Sequence, residues 1–437
     1  MTETMSPDVQ AFLRALDDGD VERVRALLGV SADVRAAINA PISHFASRPI
    51  ARAVRNLPLL DLLIAHGADL NLKSAWWAGG FGLLEHDISP EEAEPLIARG
   101  AIVDVFAAAH LGRFEELRAL VEADPALVHA RGGDGKTPLH NARTVEIARY
   151  LLARGAPIDA RDVDHESTPA QHLLGEAPEV TRFLVEQGAW FDIFIAIVLR
   201  DAALVDRCLR EDPDALDHRT GYGRYAVAHD GRRAATAEEI GDRRGDIYRW
   251  TIGHHVSALD AANRQGDRTI VERLLRHASP AQRLLAACAA GDRAAATGIV
   301  EAAPDVVGGL RADQMRLMAD RAQANDTAAV ELMADLGFDS RVTGPDGGDP
   351  LHWAAFLGNA AMTRVLLRHD PPIGARDARY HGTALDWCLH GARHGWASRT
   401  GDFAAVAALL LHAGETVDPG SVPTGREDLD AVLRGRG

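Results

Sequence analysis

Side chains suited to acid–base chemistry are concentrated in one short stretch of the chain. Asp164, His165 and Glu166 are consecutive, so two carboxylates flank an imidazole whose ordinary pKa is close to neutral pH. Lys136 lies shortly before them, and it and Lys73 are the only two lysines in the sequence. Asp164, His165, Glu166 and Lys136 are therefore the candidate acid and base groups if the protein acts on a small molecule as a lyase, isomerase or hydrolase.

Other kinds of site chemistry have little support. The sequence contains no G-x-S-x-G, no P-loop and no G-x-G-x-x-G after a strand, so nucleophilic and nucleotide-dependent mechanisms are not indicated and no cofactor is expected. Asp386, His390 and His394 would share one helix face as metal ligands only if the helix continued. Because Gly391 and Gly395 interrupt that stretch, we predict no metal site there or elsewhere.

The elements that must position these groups are helical. In residues 131–162, RGGDGKTPLHNARTVEIARYLLARGAPIDARD, Thr137 can cap a helix that begins at Pro138, and Gly155 can end the next helix in a left-handed conformation. The second helix has an apolar stripe of Val145, Ile147, Ala148, Leu151 and Leu152. This segment resembles an ankyrin repeat, whose pattern is D-x-x-G-x-TPLH-x-A followed by LL-x-x-GA.

The helix-ending residue recurs with the ankyrin period. Three pairs of such residues lie 33 positions apart: Gly67 and Gly100, Gly155 and Gly188, and Gly337 and Asp370. One repeat cannot bury its own apolar stripe, so its neighbours must be similar units. The resemblance implies an all-α solenoid of about 11 to 12 helix-turn-helix repeats with short β-hairpin fingers.

We predict that residues 1–437 form a single solenoid. Residues 7–30 have the polar face of an N-terminal cap repeat, and residues 416–437 are expected to hold a C-terminal cap. Residues 217–252 break the phase and are either a lid-like insertion or a degenerate repeat with a long loop. A second insertion, at 391–401, lengthens the last full repeat.

Composition narrows the range of partners and of cellular settings. The net charge of −16 argues against nucleic acid and anionic membranes, which require a basic surface. The three cysteines are far apart, and the first residues lack the pattern of a secretory leader. A cytoplasmic protein is expected, and the excess of arginine over lysine suggests a bacterial coding bias.

Tryptophan recurs one position past the motif histidine. Trp77, Trp353 and Trp387 hold this position in three repeats, and His172 holds it in another. In the ankyrin fold, which the sequence resembles, this position is variable and faces the concave groove. The three rings are therefore predicted to contact a ligand in the groove, or alternatively to pack between neighbouring first helices.

The predicted fingers offer a second recognition surface. The tip with Asp134 and Lys136 has regular turn chemistry, whereas the next tip has Glu166 in place of glycine and one extra residue. That tip is either kept for contacts or is a solvated acidic loop. Further candidate contact residues, outside these two tips, are Trp250, His254, Tyr380 and His381.

Two classes of function remain open. What the resemblance implies is a binding scaffold that presents its groove and fingers to a protein or peptide, since a repeat scaffold by itself has no reactive centre. The alternative is an enzyme with a small-molecule pocket in the groove, covered by residues 217–252. An open groove would favour the scaffold, whereas a closed pocket with convergent polar groups would favour the enzyme.

Overall fold

A computed structural model describes residues 5–85, 87–344 and 347–435. It is 55% helical, and the described residues contain no β-strand, so the predicted all-α fold is confirmed. The fingers are not seen as β-hairpins. They are tight turns closed by single backbone hydrogen bonds, such as Gly132 N to Lys136 O (2.9 Å) and Asp162 N to Ser167 O (3.1 Å). With so few residues between repeats, one hydrogen bond closes each turn and no ladder forms.

The chain divides into two compact units. Unit 1 contains residues 1–211 and 218–256, and unit 2 contains residues 212–217 and 257–437. A single solenoid with 11 to 12 repeats stays a prediction. Consecutive helices pack as pairs within each unit, which is the arrangement that buries a one-sided apolar stripe.

The α-helices of unit 1 are α1 (Pro7–Asp17), α2 (Val21–Val30), α3 (Ala32–Ala37), α4 (Leu57–Ala65), α5 (Pro90–Ile97), α6 (Val105–His110), α7 (Phe114–Ala123), α8 (Val145–Ala153), α9 (Pro169–His172), α10 (Pro178–Glu186), α11 (Ile193–Val198), α12 (Ala202–Glu211), α13 (Ala237–Ile240) and α14 (Tyr248–Thr251). Short 3₁₀ turns lie at His44–Ala46, Pro49–Ala53, Pro125–His129, Gly133–Gly135, Pro138–Asn141 and Gly223–Tyr225.

The α-helices of unit 2 are α15 (Ala258–Gln265), α16 (Arg268–His277), α17 (Pro280–Ala289), α18 (Arg293–Ala302), α19 (Ala312–Met315), α20 (Leu317–Gln323), α21 (Thr327–Asp335), α22 (Pro350–Phe356), α23 (Ala360–Leu367), α24 (Ala384–His394), α25 (Phe403–His412) and α26 (Glu427–Arg434). A 3₁₀ turn lies at Pro419–Ser421. Among the described residues, no helix has both the length and the apolar character that crossing a membrane demands.

The helix-ending positions have the backbone that the 33-residue phase predicts. All five glycines of the phase have positive φ, from 85° at Gly337 to 99° at Gly100. The sixth position is Asp370, and it too is left-handed, with φ 49°. The 33-residue spacing therefore marks positions with a left-handed backbone conformation, which aspartate adopts where glycine is absent.

The repeat at 131–162 differs from its expected form in two details. Its first helix is reduced to the 3₁₀ turn that begins at Pro138. In α8, Leu151 is fully buried but Leu152 is only half-buried, so the stripe is narrower than expected. Buried side chains of each unit form their own core cluster, one reaching from Val9 to Leu111 and another from Leu284 to Leu433.

The two insertions take different forms. Residues 218–256 fold with unit 1, and they are anchored by Tyr248, which is fully buried and donates its hydroxyl hydrogen to Asp192 at 3.1 Å. In unit 2, α24 does not stop at Gly391 but continues to His394, so the helix takes up part of the 391–401 insertion.

Candidate functional site

One aspartate shapes the finger at residues 162–168. Asp162 is 3% exposed, and its carboxylate accepts hydrogen bonds from His165 N (2.9 Å) and Ser167 N (2.7 Å). Glu166, the fifth residue of this finger, has a left-handed backbone with φ 51°. Burial alone would raise the pKa of Asp162, but the nearby His172 and other histidines lower it, so the carboxylate is charged and holds the turn.

The insertion of unit 1 covers this finger. The Glu166 carboxylate is 2% exposed and accepts hydrogen bonds from Ala228 N (2.9 Å) and His229 N (3.1 Å). Asp246 N donates to His165 O (2.9 Å). Because its oxygens hold backbone amides, Glu166 is a structural residue, and its expected role as a catalytic acid or base is not supported.

A second irregular segment, residues 76–82, covers the neighbouring finger at 132–136. Asp134 N donates to Gly79 O at 3.3 Å. A Cβ on Gly79 would lie 2.2 Å from Gly132 O, and one on Gly133 would lie 2.2 Å from the Phe81 ring. Glycine is therefore required at both positions for the two segments to meet.

Between these covered fingers lies a group of ionisable side chains that we call the polar cluster: Asp134, Lys136, Asp164, His165 and Asp246. The Lys136 ammonium is 3.3 Å from Asp134 Oδ2. His165 Nε2 is 3.9 Å from both Asp134 Oδ2 and Asp164 Oδ2, and His165 Nδ1 donates to Asp246 Oδ1 at 3.0 Å. Three of the four predicted acid and base residues thus meet at one place.

Burial and charge perturb two members of the polar cluster. Burial alone would lower the pKa of His165, but the hydrogen bond to Asp246 and the surrounding carboxylates raise it. Burial also raises the pKa of Asp164, with a further contribution from the negative charge of Asp134. Both pKa values are therefore raised. Shifted pKa values of this kind are common at functional sites, and structural ion pairs also produce them.

Trp77 and His229 meet at the edge of the polar cluster. Their ring centroids are 4.7 Å apart, and the Trp77 side chain is half-buried. His229 Nε2 donates to Asp164 O at 2.5 Å. The two covering segments therefore touch each other through this pair of rings.

A second group of histidines, beside the polar cluster, holds the backbone in place. His140 Nδ1 accepts a hydrogen bond from Thr137 N (3.0 Å), and its Nε2 donates to Ser167 O (3.2 Å). His172 is buried, with Nε2 3.3 Å from Asp162 Oδ1, so it supports the finger and does not face a groove. Both His140 nitrogens are occupied, so this group offers no free set of metal ligands.

Unit 2 has a finger of the same length at residues 377–383. Asp377 is 1% exposed, and its carboxylate accepts from Arg379 N (2.9 Å), Tyr380 N (2.6 Å) and Gly382 N (2.8 Å). The fifth residue, His381, has φ 57°, which matches the fifth residue of the first finger.

The tip of the unit 2 finger is exposed. Tyr380 is 64% exposed, and the Arg379 guanidinium lies 5.3 Å from the centre of its ring. His381 and Arg376 are exposed as well, and the Arg376 guanidinium donates to His381 O at 2.6 Å. Two of the predicted contact residues, Tyr380 and His381, thus occupy one rigid, basic tip.

Trp353 and Trp387 are buried, which supports the alternative that their rings pack between neighbouring first helices. They are 5% and 7% exposed, and their ring centroids are 5.1 Å apart. Trp387 Nε1 donates to Asp377 Oδ2 at 3.0 Å, so this ring supports the finger from below. The position after the motif histidine is turned inward here because the large rings fill the space between adjacent first helices.

The remaining predicted contacts are dispersed in unit 1. Trp250 is 71% exposed, with the Arg249 guanidinium 5.9 Å from its ring, whereas His254 is half-buried beside His255. A half-open, mostly polar cleft of about 530 Å³ lies elsewhere in unit 1, between the ends of α10 and α12, and includes none of the predicted contacts. It is lined by residues such as Asp159, Arg182, Trp190, Arg207 and Glu211.

Sequence reasoning missed Asp246 and His229, which lie in the irregular insertion and have no local motif. It also missed Asp162 and Asp377. These two had a signal, because each begins a seven-residue stretch that ends in a threonine before a first helix, DVDHEST and DARYHGT.

Paired helices joined by such fingers define a helical-repeat protein. The family model described as "Ankyrin repeat" matches residues 134–163 and 346–378, the first of which contains Asp134 and Lys136 of the polar cluster. The matches at these two positions support an ankyrin-repeat protein, as predicted from the TPLH segment. A curated relative, "Serine/threonine-protein kinase VIK" of Arabidopsis thaliana, is 42% identical over 57 residues, which is 12% of this chain and 13% of the kinase. The chain thus covers about an eighth of that protein's length.

Proposed function

We propose that the protein is an interaction scaffold that binds a protein or peptide through the unit 2 finger at 377–383. Ankyrin repeats indicate protein interaction in general. The observation that supports this particular surface is the exposed pair of Arg379 and Tyr380 on a finger whose backbone is fixed. Arginine and tyrosine are enriched among residues that dominate binding energy.

The finger is organised before any partner arrives. The Asp377 carboxylate accepts hydrogen bonds from three backbone amides and from the indole of Trp387. Burial alone would raise the pKa of Asp377, but these donors lower it to about 2. The carboxylate is therefore charged at neutral pH, and the loop loses little conformational freedom on binding. The tip carries Arg376, which is 3.8 Å from the exposed Asp386, together with Arg379 and His381, so an acidic peptide segment is the partner that best matches its charge.

An array of acidic peptides that contain aromatic residues tests this proposal, with binding to the full-length protein measured by fluorescence anisotropy. Tyr380→Ala and Arg379→Ala should each weaken the binding of a selected peptide by about 30-fold. This factor corresponds to about 2 kcal/mol, the usual contribution of an interface hot spot. Trp250→Ala, which removes an equally exposed ring from unit 1, is the matched control and should leave affinity unchanged. Peptides whose affinity is the same for all three variants would rule out the finger.

The geometry of unit 1 supports a second candidate, the small-molecule enzyme. Lys136, Asp164 and His165 converge there, and residues 226–247 cover the finger, which is the arrangement expected of a lid over acid–base groups. A small-molecule thermal-shift screen on the wild type and on His165→Asn would test it. Compounds that stabilise only the wild type, and are then turned over, would support the enzyme; equal shifts for both proteins would contradict it.

A further inference from the structure

Three potential metal ligands in the polar cluster come from two adjacent fingers. One carboxylate oxygen each of Asp134 and Asp164 and one ring nitrogen of His165 all lie within 4.8 Å of one another. The two distances to His165 Nε2 are 3.9 Å. Donors around a single ion of Zn²⁺ size are about 3 to 3.5 Å apart, given metal–ligand distances of about 2.0 to 2.2 Å. A shift of less than about 1 Å would therefore bring the three donors onto one ion.

The Asp134 carboxylate is buried and the Asp164 carboxylate is half-buried, and neither is held by a hydrogen-bond donor among the described residues. The side chain of Asp134 is 8% exposed and that of Asp164 is 16% exposed. Among the described residues, neither carboxylate accepts a hydrogen bond; Lys136 gives Asp134 a charge partner at 3.3 Å. Other buried carboxylates of this region, Asp162 and Glu166, are held by backbone amides. Carboxylates without such donors are stabilised by a cation, which Lys136 supplies to Asp134 in the metal-free protein and which a metal ion would supply to both.

The histidine is already oriented as a ligand. His165 Nδ1 donates to Asp246 Oδ1, which leaves Nε2 directed at the two carboxylates. A carboxylate on the far nitrogen of a metal-binding histidine fixes its tautomer and ring plane. Asp246 is itself 6% exposed and is supported by Arg249 at 3.2 Å, so this orientation is built into the insertion.

We propose that Asp134, Asp164 and His165 bind a divalent transition-metal ion, with Asp246 as the positioning residue. One nitrogen and two oxygens suit Zn²⁺ or Mn²⁺ better than Ca²⁺, which prefers an all-oxygen shell. In the metal-free protein the Lys136 ammonium neutralises Asp134, and the ion displaces it. This inference departs from the expectation that the chain has no metal site, and it does not depend on the unit 2 finger.

Isothermal titration of the full-length protein with ZnCl₂ and with MnCl₂ tests the site, and circular dichroism verifies the folding of each variant. Asp164→Asn and His165→Gln should abolish one equivalent of binding. Asp246→Asn should weaken it about 10- to 100-fold, the usual effect of losing a supporting carboxylate. Lys136→Gln should tighten it, because the competing cation is removed while the ligands remain.

Two further measurements separate this site from adventitious binding. His390 and His394 are exposed on α24 with ring centroids 5.0 Å apart, so the double variant His390→Gln/His394→Gln should leave the proposed site unchanged. Electron spin echo spectra of bound Mn²⁺ should show coupling to an imidazole nitrogen that disappears in His165→Gln. Binding that is lost in the α24 double variant, or that is weakened by Lys136→Gln, would overturn the proposal.

Discussion

Two fingers of this protein have the same backbone and opposite surfaces. Both begin with a buried aspartate, Asp162 or Asp377, whose carboxylate accepts hydrogen bonds from backbone amides of the turn. In both fingers the fifth residue has a left-handed backbone conformation. The unit 1 tip is acidic and covered by the insertion, whereas the unit 2 tip carries Arg379 and Tyr380 and is exposed.

The comparison separates the frame of the finger from its tip. The frame is the aspartate, the left-handed residue and the carbonyl before the threonine, which accepts a hydrogen bond from the motif histidine, His140 or His352. The tip residues between them are free to vary because they make few of these bonds. One frame can therefore present a buried polar site in one unit and a recognition surface in the other.

The largest expected effect comes from removing the frame aspartate. Asp162→Ala leaves two amides and His172 without their charged partner in a buried place, so unit 1 should lose about 3 to 5 kcal/mol. Asp377 is just as buried, but Asp377→Ala should cost less, about 2 to 3 kcal/mol, because the exposed tip lets water reach the freed amides. Hydrogen exchange of peptides covering 162–172 and 377–387 would measure both, and a larger loss in unit 2 would contradict the comparison.

Uncovering the first finger should have the next largest effect. In Gly245→Ala the new Cβ would lie 2.2 Å from Ser167 Oγ and 2.4 Å from His165 O, at φ 75°. We expect a cost of about 1 to 3 kcal/mol and faster exchange of both 162–168 and 226–247. Gly231→Ala, with φ 78° but nothing within 4 Å of the Cβ, is the control for backbone strain alone. Equal effects of the two variants would show that the contact with the finger is unimportant.

We expect the two motif histidines, His140 and His352, to make stability depend on pH in opposite directions. Burial lowers the pKa of His140 to about 3, so only the unfolded state protonates below about pH 6.5, and stability falls by up to about 1.4 kcal/mol per pH unit as the pH drops toward 3. Burial also lowers the pKa of His352, but the hydrogen bond to Asp349, the charge of Asp349, the hydrogen bond to Gly382 and the charge of Asp377 together raise it. That stabilisation is present below pH 6.5 and is lost as the pH rises through the raised pKa.

The capping residue contributes to this difference, since Thr137 stands where the other repeat has Asp349, whose hydrogen bond and charge raise the pKa of His352. The reciprocal variants Thr137→Asp and Asp349→Thr should exchange the two pH slopes. Hydrogen exchange of peptides from 138–156 and 350–367 at pH 5 and pH 7 would follow each repeat separately. Slopes that stay with the repeat and do not follow the capping residue would contradict this explanation.

The smallest expected effect on stability is at the exposed tip. Tyr380→Ala should change the free energy of unfolding by less than about 0.5 kcal/mol, because its side chain is mostly in water. His165→Ala, at the aligned position of the covered finger, should cost at least about 1 kcal/mol, because it removes the hydrogen bond to the buried Asp246, which keeps Arg249 as a partner. Urea unfolding of the two variants measures this contrast, and equal losses would show that the tips do not differ in burial as described.

Much of the fold was predictable because its signals are local. Gly67, Gly100, Gly155 and Gly188 mark helix ends, since left-handed backbone favours glycine, and Asp370 follows the same phase. The convergence of Lys136 with Asp164 and His165 was predictable in outline, because adjacent fingers of a repeat array lie side by side.

The sequence by itself therefore determined the helical repeats, the positions of the fingers and the acid–base residues at their tips. Tertiary structure alone decided which tip is covered, that Trp353 and Trp387 are buried, and that Asp246 orients His165. The physical reason is range. A capping bond or a left-handed turn depends on residues a few positions apart, whereas His165 and Asp246 are 81 positions apart and meet only through the packing of an irregular insertion.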